Sequence, residues 1–202
     1  MKNTLLIFLS ICFSILNVHA QDNSFGALKT REGVLIYSND KSNSYTLDLQ
    51  GEIDLKNYPL IKIDGKVFQM SQNLKSDFGV ETSAILNNFM KWEVDFLKED
   101  FKKPINTQSD FITHKDIQLN FWQYTNPIQV SESQVQVIST YFIDFCNNDL
   151  VYRFSYPSIS GDDNEAKAFL LKFVDSLRFY KDDIDFDRLR QSIVSGSNFY
   201  LE

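Results

Sequence analysis

The chain is short of the residues on which much catalysis and cross-linking depends. Its 202 residues include two cysteines, two histidines, four prolines and seven glycines. Cys12 and His19 fall in the first twenty residues, so a chain cut there keeps only Cys146 and His114. Such a chain cannot form an internal disulfide. Histidine triads and zinc sites need further ligands that it does not have. There is no glycine-rich phosphate loop, no GxSxG and no Ser-x-x-Lys with supporting motifs. Basic residues are also few, 20 against 27 acidic, and they are scattered, with Lys102-Lys103 the one dense pair. Binding a nucleic-acid duplex needs clustered Lys and Arg to displace counterions, so that partner class is excluded. After the first apolar run, no segment is long and apolar enough to span a bilayer.

The first twenty residues read as an export signal. Lys2 supplies the positive end, Leu5 to Leu16 a short apolar run, and Val18-His19-Ala20 the small or modest side chains before a cut at Gln21. A retained anchor is the alternative. Cys12, preceded by bulky Ile11, does not make a lipobox. The ending "NVHAQ" resembles signal peptides of Bacteroidota. Removing Lys2 from the 20 basic residues leaves 19 against 27 acidic, so the net charge moves from −7 to −8. About 180 residues then remain, enough for one domain held by its own core. The expected organisation is signal 1–20, leader 21–32, a single α+β domain 33–180, and a tail 181–202 with a short helix.

What is abundant is aromatic: 18 Phe, nine Tyr and two Trp. Their spacing predicts the elements. "GVLIYS" (33–38) and the alternating "YTLDLQGEI" (45–53) are strands. "LIKIDGKVFQM" (60–70) is a hairpin turning at Asp64-Gly65, where both central positions want positive φ, with Ile61 opposite Phe68 and Lys62 opposite Val67. Residues 81–104 form a helix with a stripe of Ile85, Phe89, Trp92 and Phe96, widened by Leu86, Met90, Leu97 and Phe101. Thr82 or Ser83 caps it, and Pro104 stops it. "IQLNFWQY" (117–124) puts Ile117, Leu119 and Phe121 on one face and Trp122 and Tyr124 on the other. "QVQVISTYFIDFC" (134–146) aligns Val135, Val137, Tyr141, Ile143 and Phe145, and "LVYRFSY" (150–156) aligns Leu150, Tyr152, Phe154 and Tyr156. The short turn Asn147-Asn148-Asp149 makes the last two antiparallel neighbours. Asp162 and Glu165 have the form of a capping box for a helix over 163–176, with Ala166, Leu170, Phe173, Val174 and Leu177 as its buried stripe. "SLRFY" then tucks Leu177 and Phe179 under an edge. A last helix runs through Phe186, Leu189 and Ile193 to a stop at Gly196.

This order, with "FWQYTNP" (121–127), "YFIDFCNNDLVYRFSY" (141–156) and "EAKAFLLKFVDSLRFY" (165–180), resembles the PsbP-like superfamily over residues 33–180. The resemblance implies an α+β fold: one antiparallel sheet of about six or seven strands with helices packed on both faces, an α/β/α sandwich. It also implies accessory or binding proteins rather than enzymes. It carries over no site residues.

The candidate chemistry is thin. His114, beside Lys115 and Asp116, reads as an ordinary surface residue. Cys146 ends a strand without a helix N-terminus or base beside it in sequence, so it reads as an inert, tucked-in thiol. An intermolecular disulfide is its alternative. "DIDFDR" (183–188) fails as a calcium loop, with Arg188 in place of the glycine at the sixth position and Val194 in place of the glutamate at the twelfth. The Asp162-Asp163 pair suits helix capping better than acid–base work. Trp122, Tyr124 and Phe142 are the candidate binding surface, lining a groove unless the second helix or the tail covers them. The expectation is therefore an exported, periplasmic or secreted protein that is not an enzyme and uses no cofactor or metal. It would bind an envelope or extracellular protein, with no nucleic acid and no membrane insertion after cleavage. The alternatives are a carrier of a small apolar ligand between sheet and helix, and a hydrolase using Asp or Glu.

Overall fold

A computed structural model describes residues 24–39, 43–57, 60–127, 136–182, 184–185, 187–189 and 191. The expected export signal, Val135, and Phe186, Ile193 and Gly196 of the expected last helix lie outside these residues. The fold is α+β, as expected, and all of its strand pairs are antiparallel. The strands form two sheets rather than one.

The first sheet has four strands: β1 (Ser24–Lys29), β2 (Gly33–Asn39), β3 (Ser44–Gln50) and β11 (Leu177–Tyr180), in the order β1-β2-β3-β11. The leader expected over 21–32 thus contributes a strand. "SLRFY" is not a plug under an edge but an edge strand itself, with Leu177 opposite Leu47 and Phe179 opposite Tyr45. The second sheet has seven strands: β4 (Ile53–Asn57), β5 (Leu60–Ile63), β6 (Lys66–Leu74), β7 (Thr107–His114), β8 (Ile117–Thr125), β9 (Ser139–Asn147) and β10 (Leu150–Ser158). Their order is β4-β5-β6-β10-β9-β8-β7.

The single strand expected over 45–53 is broken at Gly51, whose φ is +112°. There the chain leaves the first sheet for the second. The β5–β6 hairpin forms in the expected register, Ile61 opposite Phe68 and Lys62 opposite Val67. Its turn residues Asp64 and Gly65 have φ of 49° and 80°. This is the primed turn whose twist matches the strands it joins.

Two α-helices are described. The first, α1 (Thr82–Phe101), has Glu81 at its N-cap without a side-chain cap bond, so neither Thr82 nor Ser83 plays that part. It ends at Lys102 in the left-handed conformation, two residues before Pro104. The second, α2 (Asp163–Ser176), starts where expected, but only half of the expected capping box forms, since the Asp162 N–H donates to Ser160 Oγ rather than to Glu165. The Asp162 carboxylate accepts from the backbone N–H groups of Asn164 and Glu165, at 2.9 and 3.0 Å.

Alternation along the strands divides the apolar residues. Tyr141, Ile143, Phe145, Tyr152 and Phe154 join Ile36, Tyr45, Leu47 and Leu49 of the four-stranded sheet and Ala166, Leu170, Phe173 and Val174 of α2 in the main core. Phe173 lies 3.9 Å from Phe68 between ring centroids, and Tyr152 meets Tyr45 edge-on. The intervening residues pack with α1: Trp122, Tyr124 and Phe142 against Val94 and Leu97, and Val151 against Ile85, Leu86 and Phe89. Each large buried side chain is worth about 1.5–3 kcal/mol, which lets such a core stand without a disulfide. The tail docks too. Ile184 and Leu189 are buried, and Ile184 N–H donates to Asn39 Oδ1 at 2.7 Å.

Candidate functional site

The densest polar arrangement lies under α1. Asp144 and Arg153 each interrupt an apolar strand, and the β9–β10 ladder places them directly opposite one another. Both are buried, Asp144 completely. Arg153 Nε and Nη2 donate to Asp144 Oδ1 and Oδ2 at 2.7 and 2.9 Å, a bidentate fork. Nη1 donates to Glu93 Oε2 of α1 at 2.7 Å. Trp122 Nε1 donates to Asp144 Oδ2 at 2.8 Å. The guanidinium sits 3.9 Å from the Phe89 ring centroid and 5.1 Å from those of Trp122 and Phe142. Burial pulls the Arg153 pKa down, but Asp144 and then Glu93 overcome this and hold it above its ordinary value. The cation is therefore fixed, neutralised and boxed by rings.

Asn120, opposite Asp144 on β8, extends this polar row. It is fully buried, and its Oδ1 finds no hydrogen-bond donor among the described residues.

Trp122, Tyr124 and Phe142, the expected groove, are 0, 4 and 6% exposed. The structure brings all three together but covers them, and the cover is α1 rather than α2 or the tail. Trp122 stacks on Phe142 at 4.0 Å, with Tyr124 stacked alongside, and Phe101 of α1 leans on Tyr124. Their alternation away from the main core was read correctly. The covering element was not, because α1 precedes these strands in the chain and only the topology brings it over them.

His114 is more engaged than a surface residue. Its Nε2 lies 2.7 Å from Asp175 Oδ1 of α2, which Lys115 Nζ also reaches at 2.6 Å. Lys115, then His114, hold the Asp175 carboxyl below its ordinary range. Cys146 is half-buried and unpaired. Burial raises its pKa, which Lys75 partly opposes and Asp144 reinforces, so the thiol keeps its proton beyond the range of a free cysteine.

The acids at the start of α2 are each engaged. Asp162 caps. Asp163 Oδ1 accepts from the Tyr141 hydroxyl at 2.7 Å and from Gln123 Nε2 at 3.1 Å. Burial first, and then this carboxylate, keep Tyr141 protonated well above its usual range. Glu165 pairs with Lys66 and accepts from the Ser160 hydroxyl, and both bonds hold it ionised below its ordinary value.

A shallow, open concavity lies where the β1–β2 turn meets the β3–β4 link. It is lined by Lys29 to Val34 and Gly51 to Ile53 and mixes both signs of charge. Among the described residues, no group of three or more His, Cys, Asp or Glu could hold a metal ion. No described helix is long and apolar enough to cross a membrane.

Asp144, Arg153 and Glu93 were not foreseen. The turn is shorter than expected: only Asn148 and Asp149 lie in it, and Asn147 pairs with Leu150, which sets Asp144 opposite Arg153. The expected three-residue turn would have set Ile143 opposite Arg153, so it hid the pair. No family model, curated protein or solved structure matches the chain.

Proposed function

We propose that the protein is an exported, non-catalytic binding or accessory module acting in the periplasm or outside the cell, of the kind that the resemblance of its sequence to the PsbP-like superfamily implies. The observation that carries this reading is the Asp144–Arg153–Glu93–Trp122 cluster. A catalytic centre keeps at least one reactive group open to substrate, with its pKa set by its surroundings. Here the strongest concentration of charge faces inward, and each ion is answered by another within the fold. The cluster fastens α1 to the sheet, so it acts as a fixing device for a rigid body that presents its outer surfaces. The carboxylates at the head of α2 are engaged in the same way, by a cap, a tyrosine hydroxyl and a lysine.

The test is affinity capture of the full tagged chain, expressed with its leader in its own host, from the envelope fraction. One protein recovered in stoichiometric amount, and again when the partner is the bait, supports the reading. Hydrolytic turnover that follows the protein through purification and is lost in Asp163→Asn overturns it.

A further inference from the structure

We propose that the chain associates with a second copy of itself through its β7 edge, the two β7 strands running antiparallel across a two-fold axis. The inference is independent of the role proposed above. It starts from the unlike edges of the seven-stranded sheet. At one edge, the β4–β5 register shifts between Asp54 and Asn57, and the Asp54 carboxylate accepts from the Lys56 backbone N–H at 2.9 Å. An irregular edge carrying a lysine resists pairing. At the other edge, β7 keeps continuous register with β8 from Thr107 opposite Tyr124 to His114 opposite Ile117. It contains no lysine, no proline and no bulge, and residues 107–111 are all exposed. Among the described residues, no strand pairs with its outer side. A long regular edge of this kind is a template for another strand.

The register follows from the turn. Lys115 and Asp116 join β7 to β8 with φ of 47° and 66°, a two-residue primed turn, so His114 and Ile117 form a hydrogen-bonded pair. Alternation then points the N–H and C=O groups of Thr107, Ser109, Phe111 and Thr113 away from β8. A two-fold axis at Phe111 sets each Phe111 opposite the other, and Ser109 opposite Thr113 of the second copy, with both hydrogen bonds exchanged at each pair. An axis at Asp110 would set two carboxylates face to face, which is destabilising. An axis at Ile112 would push Ser109 against the turn residue Lys115.

One side chain favours a second copy as the occupant. Phe111, 38% exposed, is the most exposed aromatic among the described residues, and in this register it gains an aromatic cross-strand partner. Asp110 lies opposite Ile112 of the second copy, diagonal to both its His114 and its Asp110, so charge adds nothing to this pairing.

The test uses the full chain with Cys12→Ser and Cys146→Ser. Cross-strand Cα atoms about 5.5 Å apart fall within disulfide reach, so Phe111→Cys should oxidise to a covalent dimer while Lys56→Cys, at the guarded edge, forms no covalent dimer. By light scattering, the wild-type chain should show a two-copy mass that dissociates on dilution. Ser109→Pro removes an N–H that points away from β8, so it should leave the circular dichroism unchanged and raise the dissociation constant at least about tenfold. Phe111→Lys should do the same if the proline variant fails to fold. A one-copy mass at every concentration overturns the proposal and leaves the edge to a strand of another protein. A dimer unaffected by these substitutions, or a cross-link through Lys56→Cys rather than Phe111→Cys, also overturns it.

Discussion

Asp144→Asn strikes the one carboxylate in the cluster with no solvent exposure, at almost constant volume. Asp144 offers one oxygen to Arg153 Nε and the other to both Arg153 Nη2 and Trp122 Nε1. An amide has a single oxygen, so its NH₂ group must face one of these donors. Arg153 then keeps only Glu93 as an ionic partner. Removing one member of a buried pair costs about 3–5 kcal/mol, because it leaves an uncompensated charge. The amide keeps one acceptor, which places the loss near the lower end, at about 3 kcal/mol. That is a large part of the roughly 5–15 kcal/mol of a typical domain. With a urea slope of about 2 kcal/mol/M, the unfolding midpoint should fall by about 1.5 M. Tryptophan fluorescence is a suitable probe, since Trp122 is part of the cluster. The triple variant Asp144→Leu, Arg153→Met, Glu93→Gln removes all three charges and should lose less than Asp144→Asn alone, although Trp122 still loses its acceptor. A loss below about 1 kcal/mol for Asp144→Asn, or a triple variant less stable than the single, refutes the view that the cluster is a desolvated ionic lock.

Three further outcomes can be checked. Gly33→Ala would place a Cβ 1.9 Å from the Leu49 carbonyl oxygen, so the β2–β3 pair must spread, at a cost of about 1–3 kcal/mol in chemical denaturation. Asp116→Gly relieves a left-handed residue that costs about 1–2 kcal/mol, against about 0.5–1 kcal/mol for the freer unfolded chain, so the thermal midpoint should rise. An unchanged or lower midpoint would refute strain at this turn. The raised Cys146 pKa means that the folded chain keeps its thiol proton after the unfolded chain has lost it. The stability this gives is complete below the unfolded pKa, about 8.5, and is lost as pH climbs towards the folded value. Alkylation of the native chain should reach half its maximal rate at a higher pH than that of a free thiol, and a midpoint at or below about 8.5 would refute the burial argument.

Local chemistry was readable in the sequence where it was dense. Asp64-Gly65 between β-rich arms specified a hairpin to the residue, and the Asp162 cap located the start of α2. Alternation sorted Trp122 and Tyr124 away from Leu119 and Phe121. β7 was missed because "TQSDFITH" is an edge strand with almost no buried side chains, and such a strand has no apolar rhythm to detect. β1 was passed over as leader for a similar reason: Ala27 and Lys29 stay exposed. The second sheet was missed because the break at Gly51 interrupts a pattern that otherwise runs on. Burial of the aromatic trio depended on where α1 crosses the sheet, which spacing along one strand does not encode. The Asp144–Arg153 pair was hidden because the turn was expected over Asn147 to Asp149, one residue too long, which sets Ile143 rather than Asp144 opposite Arg153.

The pairing of β11 with β3 ties residues 177–180 to residues 44–47. The first sheet to be synthesised is thus among the last pieces to be finished. Until residue 180 is available, the β3 edge stays open and the main core lacks Leu177. Closing a loop of this length must precede the contacts that reward it, so refolding is expected to be slow for the protein's size. A chain truncated after residue 176 should populate a partly ordered, association-prone state rather than a smaller native fold.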